Sequence, residues 1–165
     1  MLRETLFRVG GWAAIIAGVL RAAGSFTSSL GSDVERQSLY FIIDLFLLIA
    51  VFTVYAQNHA VVGPWGAAGF LTTVAGILLV RSSRAVPGLD LYPAGALGIA
   101  GGWAVLALAS WYKGRGSVFV PVLFTLSIVT AIAGQLAAAA PAAFVASGVI
   151  FSAAVVSVGL QVLKA

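Results

Sequence analysis

Charged residues along this chain are confined to short stretches separated by long uncharged runs. The 48 residues between Arg115 and Lys164 contain no Asp, Glu, Lys or Arg, and neither do the 36 between Asp44 and Arg81. A water-soluble fold cannot leave its outer faces uncharged over such lengths. A chain dissolved in hydrocarbon must, because each ionised side chain there costs about 3 kcal/mol or more. The pattern predicts an all-α, polytopic transmembrane helical bundle of six spans: Leu6–Phe26, Ser38–Gln57, Trp65–Val80, Leu91–Tyr112, Val118–Ala138 and Ala142–Leu163. Each approaches the roughly 20 apolar residues that cross about 30 Å of hydrocarbon. The alternative is five spans, with residues 118–163 running as one helix bent at Pro141.

The connections are short. Thr27–Gln37 is expected to be a polar link, Asn58–Pro64 a turn, Arg81–Asp90 a basic loop and Lys113–Gly116 a tight charged turn. In span 1 the motif near the N-terminus resembles a signal peptide, but Arg21 stands where a neutral cleavage region belongs, so an uncleaved first span is expected. Six spans leave no room for a second domain in 165 residues. With the N-terminus in the cytoplasm, that side holds Arg3, Arg8, Lys113, Arg115 and Lys164, against Arg21, Arg36, Arg81 and Arg84 on the other. This bias and the position of Trp12, Trp65, Trp111, Tyr55 and Tyr112 favour a cytoplasmic N-terminus and residence in the bacterial cytoplasmic membrane.

Composition agrees, with 61% hydrophobic residues, 8% charged and a mean hydropathy of +1.09. Nineteen glycines supply the close helix contacts that drive association in lipid, where apolar burial gives no advantage. Gly10, Ala14, Ala17 and Gly24 share a face of span 1. Gly69 and Gly76 mark span 3; Gly95, Gly98 and Gly102 mark span 4; Gly148 and Ser152 mark span 6. The tetrapeptide Gly-Gly-Trp-Ala at 10–13 recurs at 101–104, but at a different depth, which argues for chance rather than an inverted repeat.

With no Cys and a single His, thiolate chemistry and multi-His metal or haem sites have no ligands, so no cofactor is expected. No motif of a hydrolase, nucleotide-binding loop or dinucleotide fold is present, and no basic stripe for nucleic acid. The net charge of +4 is met by lipid headgroups at span ends.

One charge lies well inside a span. Asp44 must find a partner or protonate, and Arg21 on the adjacent antiparallel span is expected to supply it. Tyr40, four residues earlier on the same face, is expected to donate a hydrogen bond to the carboxylate, and Thr125 and Gln135 of span 5 to bond across helices or line a polar cavity. The candidate site is therefore Asp44, Arg21, Tyr40, Thr125 and Gln135. Three function classes fit: small-solute or ion transport, with lipid around it and as a homo-oligomer or with a larger membrane partner; a non-catalytic membrane subunit; and an intramembrane enzyme acting on a lipid-like substrate.

Overall fold

The computed structural model describes residues 2–26, 32–83, 90–137 and 140–164. It is all-helical over these residues: α1 (Leu2–Phe26), α2 (Asp33–Ser82), α3 (Tyr92–Tyr112), α4 (Phe119–Leu136) and α5 (Ala140–Lys164). All five are long and apolar enough to cross a membrane. Their outward surface is aliphatic and aromatic, with Val19, Leu45, Leu71, Leu108 and Val129 all exposed. Such a shell suits acyl chains rather than water.

At 50 residues, α2 would be about 75 Å long if straight. It is not straight. Gly63 sits at φ 59°, ψ −156°, a conformation open essentially to glycine alone, and Pro64 follows at once. The chain reverses there into two arms, residues 33–62 and 64–82. Phe70 of the second arm stacks on Tyr55 of the first, with ring centroids 4.5 Å apart, and meets Phe52 edge-on at 4.9 Å.

Several boundaries differ from expectation. The link before α2 is shorter, because Ser32 and Glu35 form a capping box that starts the helix at Asp33. The expected turn at 58–64 contracts to Gly63, since a single left-handed glycine suffices for the reversal. Helix α4 stops at Leu136 and α5 starts at Ala140, with Pro141 in its first turn where a missing N–H is harmless. The bent helix through Pro141 is therefore not formed. Residues 84–89, with Arg84 and Pro87, and Ala138, the expected end of the fifth span, lie outside the described residues.

Helix α1 packs on α2 and α5, α5 on α4, α4 on α3 and α3 on α2, which closes a ring. Neighbours run antiparallel: Gly10 meets Thr53 while Gly24 meets Tyr40, and Gly11 meets Gly159 while Gly148 meets Ser25. An alternating ring closes only with an even number of rods, and the folded α2 supplies the sixth. The tightest seam lies between the second arm of α2 and α3. A methyl on Gly76 would come 2.5 Å from the Ile99 backbone nitrogen, and one on Gly69 2.6 Å from that of Leu106. Gly95 and Gly102 face them with the same spacing of seven, so the two backbones touch along two turns.

Candidate functional site

Asp44 is buried, as its position in the chain requires, but its partner is Arg81. Arg81 Nε donates to Asp44 Oδ2 at 2.5 Å, and Nη2 contacts the same oxygen. The guanidinium lies over the Phe41 ring, 5.8 Å from its centroid. Both arms of α2 are needed to build this contact. Residues 44 and 81 lie 19 and 18 positions either side of Gly63 (63 − 44 and 81 − 63), which sets them at one level of the hairpin.

The expected Arg21–Asp44 pair is not formed. Arg21 stands near that depth, against Tyr40 one turn before Asp44. Its guanidinium instead lies over the Tyr40 ring, 5.4 Å from the centroid. The cause is rotational: the carboxylate faces the second arm of α2, whereas Tyr40 faces α1. Tyr40 correspondingly donates its hydroxyl to the Gly24 carbonyl at 3.4 Å rather than to Asp44. That carbonyl belongs to the last turn of α1.

Thr125 and Gln135 are both exposed on α4, away from the Asp44–Arg81 contact. Thr125 donates to the Pro121 carbonyl of its own helix at 2.9 Å, the usual fate of a threonine in an apolar helix. Ser147 makes the bond between helices that was expected of them, donating to the Ser127 carbonyl at 2.8 Å and tying α5 to α4.

A second polar locus lies among the first arm of α2, α3, α4 and α5, at the end carrying Gly63, the 113–117 turn and Lys164. A cavity of about 70 Å³ is bounded by Gln57 and Asn58 of α2, Trp103 and Ser110 of α3, Arg115 and Ser117 of the turn, and Gln161 of α5. Val54, Leu106, Val120 and Val158 complete its wall. Its floor is Trp103, which is only 1% exposed and stacks on Phe124 at 5.6 Å with an interplanar angle of 15°. Phe124 in turn meets Phe151 edge-on at 5.4 Å. All three rings are buried in the core of the bundle.

The donors around the cavity divide in two. Asn58 Nδ2 is committed to the Val54 carbonyl and Ser110 Oγ to that of Leu106, each at 2.9 Å. The Trp103 Nε1–H is buried and has no acceptor among the described residues. Leaving such a donor unmet costs about 1–3 kcal/mol. No Asp or Glu borders the cavity. Among the described residues no cluster of His, Asp or Glu can hold a metal ion.

Trp103 and Gln161 were not singled out as site residues in the sequence. Trp103 belongs to the second Gly-Gly-Trp-Ala copy, where Gly102 packs on the second arm of α2 and turns the indole inward. No family model, curated protein or solved structure matches this chain.

Proposed function

We propose that the protein is a small integral membrane transporter or channel for small solutes, six spans folded as a closed ring with the N-terminus in the cytoplasm. The polar cavity at one end of the bundle carries this reading. A ring of helices with a polar recess at one end and buried aromatic rings beneath it has the form of a permeation path held shut. The reading puts the solute site at that recess and gives the Asp44–Arg81 pair another task. That pair ties the two arms of α2 together at the opposite end and keeps the hairpin in register. Its carboxylate is already engaged by two guanidinium N–H groups, which disfavours a role in holding a passing ion. The cytoplasmic N-terminus and the bacterial cytoplasmic membrane rest on the Lys/Arg distribution.

The test is flux. Protein reconstituted in vesicles is mixed with gradients of formate, nitrate, ammonium, urea and glycerol, and vesicle volume is followed by light scattering. At least one solute should equilibrate faster than in protein-free vesicles. Phe124→Leu, which thins the plug without emptying the core, should speed it further. If neither protein moves any of these solutes above background, transport is wrong.

A further inference from the structure

We infer that a groove between α1 and the first arm of α2 holds one acyl chain of an anionic phospholipid, with the headgroup phosphate on Arg8. This inference is independent of the transport reading and requires only that the bundle lies in a bilayer.

The groove has a volume of about 450 Å³ and lies on the outer side of the bundle. Trp12 and Ile16 of α1 border it on one side, Phe46 and Ile49 of α2 on the other, and the buried Ala13 lies between them. It arises because α1 turns its smallest side chains toward α2. Gly10 and Ala14 bring the helices close, and the methyl of Ala13 beside them is too short to fill the seam. Trp12 is 55% exposed, so the groove opens outward. Thr5 and Arg8 stand at its head, and both are exposed.

Length, level and charge select the occupant. Thr5 and Ile16 are eleven residues apart, about 16 Å along the helix axis, and one leaflet supplies about 15 Å of hydrocarbon. Gly11 packs against Leu163, which sets Arg8 close to the level of Lys164, where α5 ends. Arg8 makes no hydrogen bond or ion pair among the described residues. Glu4, one turn before it, is itself engaged. A cation without a counter-ion, at the rim of an apolar groove one leaflet deep, matches a phosphate whose acyl chain runs down that groove. Lys113, Arg115 and Lys164 charge the same end. They disfavour the ammonium of a zwitterionic headgroup and favour a net negative one. A second copy of this chain in the same orientation would bring its own Arg8 and Lys164 to the seam, and like charges would oppose.

Trp12 serves as the reporter. In the variant Trp65→Phe, Trp111→Phe it is the one exposed indole left, because Trp103 is buried. That protein is reconstituted in phosphatidylcholine vesicles containing a small fraction of brominated phosphatidylglycerol or of brominated phosphatidylcholine, and quenching of Trp12 is compared. Phosphatidylglycerol should quench at least about 5-fold more effectively per molecule, the effect of one Arg near an anionic headgroup. Arg8→Gln should lower that preference by about 5-fold, and Arg8→Lys should retain it. Arg8 is exposed, so neither change disturbs packing. Lys164→Gln, on the opposite seam of α1, should lower it by about 2-fold or less, being screened. Equal quenching by the two lipids overturns the proposal, since Trp12 then meets only bulk bilayer. A preference unchanged in Arg8→Gln overturns it as well, because the charge of the whole end is then responsible. So does a Trp12 that neither lipid quenches, which would put a protein surface over the groove. Absence of solute flux leaves this inference standing, and absence of a lipid preference leaves the transport reading standing.

Discussion

Replacing Arg81 by alanine strips Asp44 of the cation it touches while leaving the carboxylate within the bundle. A fully buried pair broken on one side costs about 3–5 kcal/mol, and an exposed one about 0–1 kcal/mol. This pair lies between, with side-chain exposures of 31% for Arg81 and 12% for Asp44. The expected loss is therefore about 2 kcal/mol, read as the shift in an SDS-induced unfolding transition followed by circular dichroism. Asp44→Asn should cost less, because the half-exposed guanidinium can turn to the rim. The double variant Asp44→Asn, Arg81→Ala should cost less than the two single losses summed, with a coupling of about 1 kcal/mol. Arg21→Ala serves as the control. It forfeits its contact with the Tyr40 ring, worth about 0.5–1 kcal/mol. If Arg21→Ala destabilises as much as Arg81→Ala, or if the double variant is additive, the assignment of the pair is refuted.

Two further predictions concern glycine. Gly76→Ala should destabilise by about 1–3 kcal/mol in the same unfolding assay, since its methyl meets Ile99 backbone that cannot turn aside. Gly101→Ala, with nothing within 4 Å of the added carbon, should be neutral or gain up to about 1 kcal/mol in helix propensity. Equal effects at the two positions would sink the close-seam description. Gly63→Ala meets no steric obstacle either, yet should cost about 1–3 kcal/mol because its backbone angles exclude a side chain. A Gly63→Ala protein as stable as the original would show that the reversal is not locked at that residue.

The membrane helices were legible because the charge-free runs record the solvent directly. Asp44 was legible as a charge needing a partner, and so was the level at which that partner lies. Arg21 and Arg81 both sit at that level, Arg21 across the link before α2 and Arg81 across the reversal at Gly63. Which one bonds depends on rotation about the helix axis. In water, hydrophobic periodicity reports rotation because one face of a helix is wet. Here the outward face is as apolar as the inward one, so Thr125 and Gln135 gave no sign of pointing away. The symmetric spacing of 44 and 81 about Gly63 was a usable signal for the true pair. Trp103 carried none: the indole of a buried tryptophan and that of a lipid-facing one are spelled alike, and an unmet donor exists only once its neighbours are in place.

The alternation of the six rods has an electrical corollary. Each end of the ring gathers three helix N-termini and three C-termini, so the backbone dipoles, each equivalent to about half a charge at either tip, cancel across the bilayer. In the proposed six-span topology, nothing in the main chain then prefers one leaflet over the other. The choice would fall to side chains, where the division of Lys and Arg is five against four. Insertion in the two directions would then be separated by a single positive charge, a margin that loss of Lys113 or Arg115 would remove.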